Sequence, residues 1–149
     1  MKTKKIVIIV LLAVTAAIAA IHLGVRKQVP EGALQVNSGD ETFYVEIEKL
    51  LVEKVHGVIV NGKGEEIEID AEGISLRDIL SDLGIDVEGI VSVKVTAGDE
   101  FSAELTGEEV RESGKAYLYQ EGQQSVTLVV FGDSNAKRNV RGVERIDVQ

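Results

Sequence analysis

Residues 6–25, IVIIVLLAVTAAIAAIHLGV, run for 20 positions without a single Asp, Glu, Lys or Arg, and only Thr15 and His22 are polar. As a helix at 1.5 Å per residue, such a run is about 30 Å long, the thickness of the hydrocarbon core of a bilayer. It divides the chain into a hydrophobic leader and a polar remainder. Lys2, Lys4 and Lys5 precede it, so the positive-inside rule keeps the N-terminus in the cytoplasm; Arg26 and Lys27 beyond it weaken that bias without reversing it. Ala17-Ile18-Ala19 has the small-x-small form of a signal-peptidase site, and residues 6–14 are short enough for a signal-peptide core. Two readings therefore stand, a retained transmembrane helix and a cleaved signal, with length favouring the helix. Either one exports the rest. The expected organisation is a membrane anchor or signal segment over 1–27, a linker over 28–41 and an extracytoplasmic domain over 42–149. The expected location is the cell membrane, single-pass with the domain outside, or secretion if the segment is cleaved.

Charge and cysteine usage exclude several function classes. Residues 28–149 carry all 25 acidic side chains but only 11 of the 16 basic ones, a formal −14. That field repels phosphate backbones and argues against nucleic-acid binding; its plain reading is solubility. The chain has no cysteine. Disulfides, thiolate catalysis, iron–sulfur clusters, zinc–cysteine sites and a lipoprotein anchor are all excluded.

The exported part reads as short alternating runs punctuated by turns. Residues 28–41 hold the one proline and no periodicity. Phe43, Val45 and Ile47 fall on one face of a strand over 42–47, and a helical turn is expected over 48–53. Runs at 56–60 and 65–69 flank Asn61-Gly62-Lys63-Gly64, a strong hairpin signal. A helix starts at Ser75, with Asp78 three residues on. It presents Leu76, Ile79, Leu80 and Leu83 on one face and stops at Gly84. Strands are expected over 90–97 and 101–105 around Gly98-Asp99-Glu100. Thr106-Gly107-Glu108-Glu109 is a capping box that opens a short helix through Glu112. Further strands are expected at 116–120, 125–131 and 143–148, with a loop over 132–138. The expected fold class is α+β, mostly β, with about eight short strands and two short helices, preceded by one transmembrane helix.

Catalytic chemistry finds little to work with. His56 is the one histidine after His22, and no Gly-x-Ser-x-Gly elbow accompanies it. The acidic runs at 65–68 and 108–109 read as solvated faces or helix caps. They lack calcium-loop spacing. Gly62-Lys63-Gly64 lies in a hairpin and lacks the Lys-Ser/Thr ending of a phosphate loop. The six aromatic residues sit at strand-core spacing. No catalytic residue, metal site or cofactor is expected. Lys137, Arg138, Arg141 and Arg145 place four cations in nine residues of an acidic domain. They read either as charge balance on the surface or as an anion pocket formed with the Gly- and Asn-containing loop 132–141.

Three stretches in order, GVIVNGKGEEIEIDAEGISLRDIL (57–80), SVKVTAGDEFSAELTGEEV (92–110) and VTLVVFGDSNAKRNVRGVERIDV (126–148), resemble the molybdopterin-binding domain of the sulfite oxidase family. The resemblance implies a sulfite oxidase-like fold. That family holds its metal through a cysteine early in the domain, which this chain lacks, and the inserts that hold the pterin phosphate are short or missing. What it implies is thus a reduced relative without molybdenum chemistry, with Asp99, Lys137 and Arg138 as the ligand-facing residues. The leading expectation is a non-catalytic, membrane-anchored binding or accessory module of an exported bacterial protein, partnered by the membrane through 6–25 and by a small anionic ligand or an envelope protein. Two alternatives stand beside it: a β-grasp ligand-binding domain, and an accessory subunit of a redox complex whose cofactor lies on a partner.

Overall fold

Period-two alternation along short segments yields ten strands in two five-stranded sheets. The computed structural model describes residues 32–149 apart from 123, 124 and 135. The hydrophobic run at 6–25 lies outside the described residues, as does the start of the expected linker. Among the described residues, no helix is long and apolar enough to cross a membrane. In chain order the strands are β1 (Ala33–Ser38), β2 (Glu41–Glu46), β3 (Glu53–Val60), β4 (Glu66–Ser75), β5 (Ser92–Ala97), β6 (Ser102–Thr106), β7 (Ala116–Gln120), β8 (Val126–Val130), β9 (Val140–Arg141) and β10 (Val143–Val148). Helix α1 (Leu76–Asp82) follows β4, and α2 (Gly107–Arg111) follows β6. The first sheet has the order β2-β1-β10-β5-β6, the second β3-β4-β7-β8-β9. Neighbouring strands are antiparallel except β1 and β10, which run parallel with Val36 opposite Ile146.

The mostly-β character and the two helices agree with the sequence reading; the strand count among the described residues is ten and not eight. The two extra strands have different origins. β1 lies inside the stretch read as a linker, where Leu34 and Val36 are its only large apolar residues; both are fully buried between β2 and β10. β9 is two residues long, and Val140 on it is buried.

One core joins the sheets. Val36, Val95, Leu105 and Ile146 of the first sheet share a cluster with Ile74, Leu118, Leu128 and Val140 of the second. Helix α1 adds Leu76, Ile79 and Leu80, and α2 adds Val110. Both helix starts follow their sequence signals. Ser75 Oγ accepts from Asp78 N at 3.0 Å. Thr106 and Glu109 complete a reciprocal capping box.

The other face of the second sheet carries a smaller cluster. Val55, Ile69 and Val129 are buried there, with Ile59, Tyr117, Tyr119 and Phe131 packed against them. The Phe131 ring lies against Gly57, where any side chain would displace it.

Two hairpin turns have the same backbone pattern. Asn61 N donates to Glu65 O at 2.9 Å and Gly64 N to Asn61 O at 3.0 Å; Ala97 N donates to Phe101 O at 2.8 Å and Glu100 N to Ala97 O at 3.0 Å. Each is a tight turn followed by one residue in the left-handed region. In the first turn that residue is Gly64, φ 82°. In the second it is Glu100, φ 67°, the one non-glycine with positive φ among the described residues.

Candidate functional site

The β5–β6 turn stands at one end of a groove of about 370 Å³, between the start of β1 and β10, the end of β5 and the start of β8. Its apolar lining comes from Ala33, Ile47, Ala97, Val126 and Val143; Gln35, Thr96, Ser125 and three charged residues, Glu100, Glu144 and Arg145, supply its polar part.

The sheet register explains why these polar residues meet. Arg145 of β10 is opposite Gln35 of β1 on one side and Thr96 of β5 on the other. A register shift between Val143 and Arg145 marks a bulge in β10, so Val143 stays in the core while Arg145 takes the opposite face. Thr96 is 3% exposed, and its Oγ1 is the one buried side-chain polar atom without a hydrogen-bond partner among the described residues. A buried hydroxyl left unpaired costs about 1–3 kcal/mol.

Arg145 is oriented from behind. Its Nε donates to Asp147 Oδ2 at 3.0 Å. Asp147 is itself held by Asn37 Nδ2 at 2.7 Å, and Asn37 Oδ1 accepts from Gln35 Nε2 and Thr42 Oγ1. The terminal guanidinium nitrogens of Arg145 make no hydrogen bond among the described residues, which leaves a donor fork for an acceptor from outside. Glu100 and Glu144 likewise have no ion-pair partner there. Gly98 leaves room for the Glu144 carboxylate, which lies where a Cβ on residue 98 would be.

Glu100 sits in a backbone conformation that its twin turn fills with glycine. For an L-residue the left-handed region costs about 1 kcal/mol. Glu100→Gly is therefore expected to raise the stability of the protein by up to about 1 kcal/mol, read as a higher urea midpoint with an unchanged slope. A fall in the midpoint would mean that the carboxylate itself stabilises the fold.

The residues singled out in the sequence are placed apart. Asp99 caps the β5–β6 turn, its Oδ1 accepting from Phe101 N at 3.1 Å, next to Glu100 at the groove. Lys137 and Arg138 lie on the 3-10 turn Ala136–Arg138. Arg138 reaches Glu104 O on β6 and Glu109 on α2, towards the end of β6 remote from Asp99. Its Nε and Nη2 donate to the two carboxylate oxygens of Asp133, Nη2 and Nη1 to the two of Glu109, and Nη1 also to Glu104 O. All five guanidinium N–H groups are thereby used within the chain, and none is left for an anion. The hydrogen bond from Arg138 holds the Glu109 carboxyl down at about 2 against an ordinary 4.5, and burial opposes it only in part. Lys137 is exposed beside it.

Of the four clustered cations, Arg141 pairs with Glu121 at 3.6 Å, and Arg145, not Arg138, is the one that lines the groove with terminal nitrogens unpaired among the described residues. The basic cluster was the sequence signal for it. Thr96 had none beyond its polar place in Val-Lys-Val-Thr-Ala. His56 lies on β3, exposed, 3.9 Å from Glu68 across the hairpin. No group of three or more His, Cys, Asp or Glu side chains among the described residues is arranged to hold a metal ion.

No protein-family model matches the chain, and no curated protein matches it.

Proposed function

We propose that the chain is a non-catalytic binding module, held at the outer face of the cell membrane by residues 6–25, which takes a small ligand with an anionic group in the groove beside Arg145. The observation that carries this reading is the buried hydroxyl of Thr96, unpartnered among the described residues and opposite, across the sheet, an arginine whose terminal nitrogens are unused among them. A carboxylate or phosphate bridging the two would satisfy both at once. The ligand expected near Lys137 and Arg138 is thus assigned to a different part of the same basic segment. The order of the three stretches that resemble the sulfite oxidase family supports a reduced, cysteine-free version of that fold. Two sheets and two helices exceed the four or five strands about one helix of a β-grasp domain, which disfavours that alternative.

Thr96→Val tests the reading because the substitution is close to isosteric and removes only the hydroxyl. The melting temperature of the full-length protein is expected to stay level or rise, since no hydrogen bond is lost. Native mass spectrometry of the wild type, released from membranes in non-ionic detergent, is expected to show a retained small molecule. Thr96→Val and Arg145→Gln should each lose it. A bare wild-type mass, with no rise in melting temperature across a panel of phosphates and of carboxylates with and without an amino group, would leave the module without a small ligand and overturn the reading.

A further inference from the structure

We propose that the ligand of the groove is a zwitterion, an α-amino acid or a short peptide, with its carboxylate on Arg145 and Thr96 and its ammonium on Glu100 and Glu144. This rests on the reading of the groove as a ligand site and adds the chemistry of the ligand.

The charges around the groove do not suit a simple anion. Asp147 already offsets Arg145 from behind, and the remaining charged residues of the lining are both carboxylates without partners among the described residues. An anion bound to Arg145 alone would sit near two uncompensated negative charges, and like charges in one site oppose each other. An ammonium on the same ligand turns that repulsion into attraction. A simple cation fits no better, because it leaves the donor fork of Arg145 unanswered. One ligand bearing both charges satisfies all four side chains.

The backbone at Glu100 points the same way. The β3–β4 turn, built on the same hydrogen-bond pattern, has Gly64 at the equivalent left-handed position. A glutamate there carries a conformational cost that glycine would remove, and what it adds in return is a carboxylate at the edge of the groove. Strain retained at a cavity wall is characteristic of a binding position. The size is consistent, since about 370 Å³ lies near the lower limit for small-molecule sites. The alanine and valine side chains of the lining suit a short aliphatic group, which makes L-valine and L-alanyl-L-valine suitable probes.

Calorimetry on the full-length protein in non-ionic detergent, with L-valine, L-alanyl-L-valine, isovalerate and isobutylamine, separates the charges. Isovalerate is valine without its ammonium, and isobutylamine is valine without its carboxylate. At least one zwitterion is expected to bind, with each singly charged analogue weaker by about tenfold or more, as a charge-assisted contact is worth at least that much. The double substitution Glu100→Gln with Glu144→Gln should erase the advantage of valine over isovalerate. Arg145→Gln should erase its advantage over isobutylamine. Isovalerate binding as tightly as valine, with Arg145→Gln abolishing both, would overturn the zwitterion and leave an anion site in place. A wild-type protein that binds none of the four overturns the zwitterion as well, while a molecule retained in native mass spectra would still uphold the groove as a site.

Discussion

Gly107→Ala is expected to destabilise the protein by about 3 kcal/mol, although in a helix interior the same change gains about 1 kcal/mol. Gly107 is the first residue of α2, and it is buried. A Cβ there would fall on the carbonyl of Ile90, a backbone group that cannot rotate aside, and 3.0 Å from Arg111 Nη1. Several bonds converge on that spot. Gly107 N donates to Val91 O at 2.8 Å, and Arg111 Nη1 donates to the carbonyls of Val87, Glu88 and Ile90 at 3.2–3.3 Å, closing the end of the 3-10 turn Val87–Gly89. Relieving the clash means moving α2 off this turn, with the loss of those bonds and of the packing of Val110 and Ile90 in the main core. The measurement is the urea midpoint of Gly107→Ala against Gly62→Ala, whose added methyl meets nothing within 4 Å and which should stay within about 0.5 kcal/mol of wild type. Equal midpoints for the two variants would show that the α2 contact yields at no cost.

Most elements of this fold were legible because their signals are local. The Ser75 cap and the Thr106–Glu109 box span only four residues each, and the alternation of Val93 and Val95 only three. β1 was missed for the opposite reason. Its sequence, Ala-Leu-Gln-Val-Asn-Ser, has two large apolar residues among small and polar ones, and it is held as a strand from both sides, by β2 across the Gly39-Asp40 turn and by β10, where Gln35 meets Arg145. A parallel partner more than 100 residues away leaves no trace in the segment itself. The site divides in the same way. The cationic segment from Lys137 to Arg145 was visible as a departure from an acidic background. Which of its residues are engaged was not, because Arg138 finds one partner five residues upstream and another 29 residues upstream. The unpaired state of Thr96 follows from its neighbours on β10 and β6, Arg145 and Ser102, and no single strand records that. Likewise, the meaning of Glu100 emerges only beside Gly64 in the matching turn.

Arg138→Met is expected to cost about 2 kcal/mol at pH 7, with a cost that shrinks as the solution is acidified. Arg138 ties the loop after β8 to α2 through two carboxylates, Asp133 and Glu109, at 2.6 and 2.8 Å. Removing one partner of a buried pair costs about 3–5 kcal/mol, and the 31% exposure of the Arg138 side chain lowers the expectation accordingly. The acid dependence has a definite sign. With its folded-state value near 2 and its ordinary value at 4.5, Glu109 contributes stability that is fully present above about pH 4.5 and is lost as the pH falls towards 2. In Arg138→Met the largest part of that contribution is gone, the hydrogen bond from Thr106 N remaining, and Glu109 and Asp133 are left as neighbouring carboxylates whose protonation relieves their repulsion. The gap in melting temperature between wild type and variant should therefore be widest at pH 6–7 and narrow steadily below pH 4.5. A gap of constant size down to pH 2.5 would mean that Arg138 acts through packing alone. Because Arg138 does not line the groove, the variant should also keep whatever ligand the wild type retains; its loss would tie the α2 contact to binding and return Arg138 to the ligand site.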